Sequence, residues 1–156
     1  MKITTIILSI TTVFTLSCTN KTVVLNENEL PEDIFYLKDR VEPFSGTCHI
    51  YYNKSEILKE VMHFKDGVLN GQRLSYYKNG QIKHEGEIKN GKFAGTWKGY
   101  TENGKPLYEV NYTNDQLDGQ YLSCYSSGVI KAKGVYRNNK PTGEWQRYDE
   151  SGMLRK

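Results

Sequence analysis

Gly71, Gly95, Gly119 and Gly143 stand 24 residues apart, three intervals in succession. A fixed period of that length marks a repeat array, in which each unit buries surface only against its neighbours. With the glycine as position zero, position two holds Cys48, Arg73, Trp97, Tyr121 and Trp145, and position five holds Tyr51, Tyr76, Tyr100, Cys124 and Tyr148. Position nine holds Ser55, Gly80, Gly104, Gly128 and Gly152; position eleven holds Ile57, Ile82, Pro106, Ile130 and Leu154. The first unit runs 25 residues, from Gly46 to Gly71, which brings Phe64 rather than His63 into register with Ile88, Tyr112 and Tyr136. Five units align from Gly46 onward, the last truncated after Leu154.

Each slot has a physical reason. Asn79-Gly80 and Asn103-Gly104 accept positive φ at both central turn positions and predict tight hairpins; Ser127-Gly128 and Ser151-Gly152 are weaker forms of the same signal. Asp66-Gly67, Asn90-Gly91, Asn114-Asp115 and Asn138-Asn139 predict a second turn that joins one unit to the next. Between turns lie short runs rich in Tyr, Trp, Val and Ile, which suit a pleated, half-buried surface. The pattern predicts an all-β fold: an elongated antiparallel meander of about five 24-residue β-hairpin repeats in a single-layer twisted sheet over residues 46–156, with no helix after Phe44. Apolar residues are 37% of the chain and 12 of them are tyrosines, so the interior is expected to be thin and aromatic.

Positions two and five differ by an odd number, so their rings cannot share a face of a regular strand. Either a bulge lies between them or both faces carry rings. The aromatic set Tyr76, Trp97, Tyr100, Tyr121, Trp145 and Tyr148 is the candidate binding surface, and equally the candidate packing that holds the array together. Cys48 and Arg73 interrupt that row in the first two units.

The N-terminus is of another kind. Met1-Lys2 precedes an apolar stretch to Leu16-Ser17, too short to span a bilayer but suited to a secretory signal. Its end, Thr15-Leu16-Ser17-Cys18, resembles a bacterial lipobox, with Thr15 departing from the usual aliphatic residue. That resemblance implies a lipoprotein signal peptide over 1–17 and lipidation of Cys18, an anchor of more than one acyl chain. Residues 18–33 then read as a polar tether and 34–45 as a half-repeat cap of the array. The other cysteines, Cys48 and Cys124, lie about six strands apart at ~4.8 Å per strand, too far for a disulfide, and are assigned to packing.

The pattern G-x-W-x-x-Y-x-x-x-G with a Y-x-N-G-K-x-x-G tail is best shown by Gly95-Thr96-Trp97-Lys98-Gly99-Tyr100 through Asn103-Gly104, and by Gly86 through Asn90-Gly91-Lys92 to Gly95. Over residues 44–156 it resembles the MORN-repeat-variant family. The resemblance implies the β-hairpin array. It also implies, for bacterial members, the label of antitoxin in a toxin–antitoxin pair, and for eukaryotic relatives a membrane-associated or scaffolding role.

Evidence for catalysis is thin. His63 and His84 could be imagined as a metal pair beside Glu60 and Glu85, and Glu60, Glu85 and Glu109 share position fourteen by direct count. A solvated charged face accounts for these residues as well. No nucleophile elbow or phosphate-binding loop is present. The 21 basic and 18 acidic residues are interspersed, which excludes the clustered basic face of a nucleic-acid binder. The expectation is a non-enzymatic protein with no metal or cofactor, anchored in the bacterial cell envelope at the outer membrane. It binds a protein partner through its sheet; the alternative is an antitoxin neutralising a toxin by contact.

Overall fold

The computed structural model describes residues 22–26, 42–52 and 55–155. The described residues contain ten strands: β1 (Thr22–Asn26), β2 (Gly46–Tyr51), β3 (Leu58–Lys65), β4 (Val68–Tyr76) and β5 (Ile82–Lys89), then β6 (Lys92–Tyr100), β7 (Pro106–Thr113), β8 (Gln116–Cys124), β9 (Ile130–Arg137) and β10 (Lys140–Arg147). They form one open sheet in chain order. From β2 to β10 every neighbouring pair is antiparallel, which is the expected meander. Phe64, Ile88, Tyr112 and Tyr136 lie opposite Gly46, Gly71, Gly95 and Gly119, so the 24-residue alignment is also the structural one.

The N-terminal side adds a strand to the meander. β1 pairs with β2 in parallel, Thr22 opposite Thr47 and Asn26 opposite Tyr51, so the stretch read as a polar tether, 18–33, carries a paired strand. Its Thr-Val-Val-Leu sequence suits an edge, and it covers the outer hydrogen-bonding groups of β2. The stretch read as a signal peptide, 1–17, Cys18 and residues 34–41 of the expected cap lie outside the described residues. Of the cap's remainder, Phe44 is buried and its carbonyl accepts a hydrogen bond from the Gly67 amide.

The two kinds of turn are distributed differently from the expectation. Positive φ at both central positions belongs to the turns between units: Asn90 and Gly91, Asn114 and Asp115, Asn138 and Asn139. Each is a two-residue loop that matches the twist of its flanking strands. At Asn79-Gly80 only the glycine has positive φ, at 84°. Tyr77 starts a four-residue turn closed by the Gly80 amide on the Tyr77 carbonyl, and the glycine then reverses the chain. The extra residue of the first unit falls in the equivalent loop after Tyr51, because Glu60 and His84 occupy the same register 24 residues apart.

Register shifts recur at two places in each repeat. One lies on the strand facing position four, where Gly99 opposes Tyr108 but Tyr100 opposes Pro106, leaving Leu107 extra. The other surrounds the repeat glycine, as where Val110 opposes Tyr121 but Tyr112 opposes Leu117. Gly119 sits in that bulge at φ 124°, and a Cβ there would stand 2.8 Å from Asn111 Cβ. The repeated glycine is therefore favoured by positive φ in every unit, and at Gly71 and Gly119 by a close neighbour as well.

Both faces carry rings. Trp97 pairs with Val110, and Val110 pairs with Tyr121, so these side chains share one face, with Trp145 over Gly134 in the same row. Tyr100 donates to Glu85 and Tyr148 to Gln146, residues whose register places them on the opposite face. The first face holds the core. Phe44, Cys48, Ile50, Met62 and Phe64 form one buried cluster; Ile88, Trp97 and Val110 form the next, and Leu69 packs against both. Tyr121, Tyr136 and Trp145 continue it with ring centroids 5.2–5.3 Å apart.

Candidate functional site

The core face is a ladder of large side chains laid over small ones. The Trp97 ring covers Gly86, the Trp145 ring covers Gly134 and the Tyr108 ring covers Gly99; a Cβ at any of these glycines would fall 2.2–2.4 Å from ring carbons. In the second unit the ladder changes. Arg73 stands at position two and binds the Glu60 carboxylate through Nε instead of supplying a ring. A groove of about 380 Å³ opens there, between Tyr52 on one side and Trp97, Phe93, Tyr108 and Tyr112 on the other.

Its polar floor is one transverse row. Glu60 opposes Ser75, Ser75 opposes His84, and His84 opposes Gly99, so strands β3 to β6 each place one residue in the row. Glu60 is 7% exposed, and Arg73 balances its charge. The Ser75 hydroxyl is buried and makes no hydrogen bond among the described residues. His84 Nδ1 is 2.9 Å from the Tyr108 hydroxyl, and the two rings stack at 5.9 Å. Burial lowers the affinity of His84 for a proton, the Lys83 and Arg73 charges lower it further, and Glu60 opposes them. Burial raises the Tyr108 phenol above its usual range.

Lys59 and Lys83 line the rim. Lys83 Nζ lies 5.7 Å from the Tyr77 ring centroid, and Lys59 and Lys78 lie 5.7 and 5.6 Å from that of Tyr52. Arg73, Lys59 and Lys83 against Glu60 leave the groove net positive. It is an amphipathic site with aromatic walls, a donor-rich floor and one carboxylate already bound to a guanidinium.

The structure separates the aromatic set. Trp97 is 6% exposed; its Nε1–H donates to the Glu87 carbonyl at 3.0 Å and its ring meets Phe93 at 4.6 Å. Trp97 is both core and groove wall. Tyr121 and Trp145 pack further along the same face, whereas Tyr100 and Tyr148 are half-buried on the other. Tyr76 pairs with Ile82, and its carbonyl accepts the Tyr52 hydroxyl at 2.7 Å. No single surface gathers all six. His63 and His84 are not brought together either: His63 opposes Thr47 and bonds the Gln72 carbonyl, on the face opposite His84. Glu60 does not belong with Glu85 and Glu109. It shares the slot of His84 and Tyr108, while Lys98, at 3.8 Å from Glu109, marks the solvated charged face. Cys48 and Cys124 are unlinked, and burial followed by the Glu60 charge pushes the Cys48 thiol up to about 12, which suits packing rather than reactivity.

Position six was the missed signal. Tyr52, Tyr77 and Tyr125 each send a hydroxyl to the carbonyl of the position-five residue in the next unit, at 2.7, 2.8 and 2.9 Å. These struts tie unit to unit along the row of hairpin loops at one end of the strands, and the position-six tyrosines are visible in the 24-residue alignment. Ser75, Lys83 and Tyr108 had no such signal, because they become a site only when adjacent units meet.

The family model for the MORN repeat variant matches residues 69–90, 94–114 and 141–156. Those stretches are similar to the MORN repeat variant, and the unmatched units keep the same register in the sheet. No curated protein matches the chain.

Proposed function

We propose that the protein is a non-catalytic binding module, exported and held at the bacterial cell envelope by a lipidated Cys18, which engages a protein partner through its sheet surface. The observation that carries the reading is the groove on the core face, where Arg73 replaces a ring and leaves aromatic walls beside basic side chains and hydrogen-bond donors. A repeat array supplies such a surface by stacking and needs no reaction chemistry to use it. The lipobox-like end of the leader supports the location.

The test has two arms. Radiolabelled palmitate should enter the wild type and not Cys18→Ser, with the wild type in the membrane fraction. If neither is labelled and both remain in the cytosol, the export reading is lost and the antitoxin alternative gains. The tagged full chain, crosslinked in envelope fractions, should retain a specific protein partner; a chain that captures none overturns the binding-module reading.

A further inference from the structure

The second unit breaks the small-under-large ladder at Arg73, where the groove opens. Arg73 spends its Nε edge on Glu60, and a guanidinium has further N–H donors on its terminal nitrogens. Lys83 has no ion pair among the described residues and is held near the Tyr77 ring. The Ser75 hydroxyl lines the same groove, in the transverse row, with no hydrogen bond of its own among the described residues. Two cations and a hydroxyl beside the flat walls of Trp97 and Tyr108 match a ligand with a compact oxyanion at one end and a ring at the other. The groove, at about 380 Å³, is within the range of small-ligand sites.

We propose that this groove binds a hexose-sized ring bearing a carboxylate or a phosphate, with the oxyanion on Arg73, Lys83 and Ser75 and the ring against Trp97 and Tyr108. The site deepens the binding-module reading and rests on it. It does not rest on the identity of the protein partner.

The chain has two tryptophans, so the indole N–H signals give a built-in comparison. Trp97 lines the groove, and Trp145 lies four strands away, ~19 Å at the usual strand spacing. The full chain is titrated with glucuronate, with glucose 6-phosphate and with glucose, following both signals by NMR. A saturable shift of Trp97 alone is expected with one or both anions and not with glucose; which anion acts identifies the oxyanion. Lys83→Gln and Arg73→Lys should each weaken binding about tenfold, as for losing a charged hydrogen bond. Arg73→Lys keeps a cation beside Glu60, so a dispersed spectrum separates lost binding from lost folding. No saturable Trp97 shift with either anion overturns the proposal, as does an equal response to glucose or binding that survives both substitutions. Retained partner capture alongside that failure would remove the groove ligand alone, and lost capture with intact anion binding would remove the protein partner alone.

Discussion

Arg73 and Glu60 are the residues where the array departs furthest from its own rule. Removing the guanidinium strands a carboxylate that is 7% exposed, so Arg73→Met should destabilise the fold. The Arg73 side chain is a third exposed, which limits the loss to about 3 kcal/mol, measured by urea unfolding. Glu60→Gln added to Arg73→Met should recover most of it, since no buried charge remains. His84 adds a pH dependence. Burial holds its folded-state proton affinity below that of the unfolded chain, with Lys83 and Arg73 acting in the same direction and Glu60 against them. The unfolded chain therefore takes up the proton first, and the stability from a neutral His84 is full above about pH 6.5 and lost as pH falls below it. Unfolding at about pH 7.5 and about pH 5.5 should show a smaller difference in His84→Gln, the remainder including His49, which burial shifts the same way. At the other end of the face, Trp145 Nε1 is buried without a hydrogen bond among the described residues, whereas Trp97 bonds the Glu87 carbonyl. The equivalent carbonyl two units along, Val135, is taken by Thr142 Oγ1 at 3.3 Å, where the earlier unit has Ala94.

The hairpin is the element that repeats, and its parts fail for different reasons. Gly80 has φ 84° and open space around its Cβ position, so Gly80→Ala costs only backbone strain, about 1 kcal/mol. Gly86 lies under the Trp97 ring, and Gly86→Ala must displace that ring from a packed cluster, a loss of roughly 1–3 kcal/mol or more. Thermal unfolding of the two variants should rank them in that order. The tyrosine struts give a gain-of-stability test. Tyr77 bonds the Tyr100 carbonyl, but Thr101 occupies the same slot in the next unit and leaves out the ring. Tyr77→Phe should lose about 1 kcal/mol, and Thr101→Tyr, reaching towards the Cys124 carbonyl, should gain up to about that much in urea unfolding. The inter-unit turns add a second tie on the opposite edge: Asp115 and Asn139 side chains accept the Phe93 and Leu117 amides at 2.7 Å. Asn and Asp can take the positive φ and supply an acceptor that glycine lacks.

Across the whole molecule, stability is expected to be graded rather than uniform, because each unit touches only its neighbours. β10 has no buried residue, while β6 holds Trp97 in the second cluster. Amide exchange should therefore be faster over 140–147 than over 92–100; equal protection would mean that the sheet opens as one unit. The sequence determined the antiparallel meander from β2 to β10 and its period, because glycine, turn and ring positions recur at 24 residues and each answers to local backbone geometry. It also showed that the second unit was irregular, through Arg73. It could not place Glu60, since one extra residue in the first hairpin moved that carboxylate from the charged face to the core face, and a one-residue slip in a strand inverts every side chain. It left open whether positions two and five shared a face, because a bulge is set by pairing across strands rather than by the run of residues along one. The parallel addition of β1 has the same origin: a short β-prone segment is a strand only where an open edge receives it. The groove was decided by tertiary structure alone. Ser75, Lys83, His84 and Tyr108 come from three strands, and only the lateral stacking of the second unit on the third brings their hydroxyl, charge and rings around the gap that Arg73 leaves.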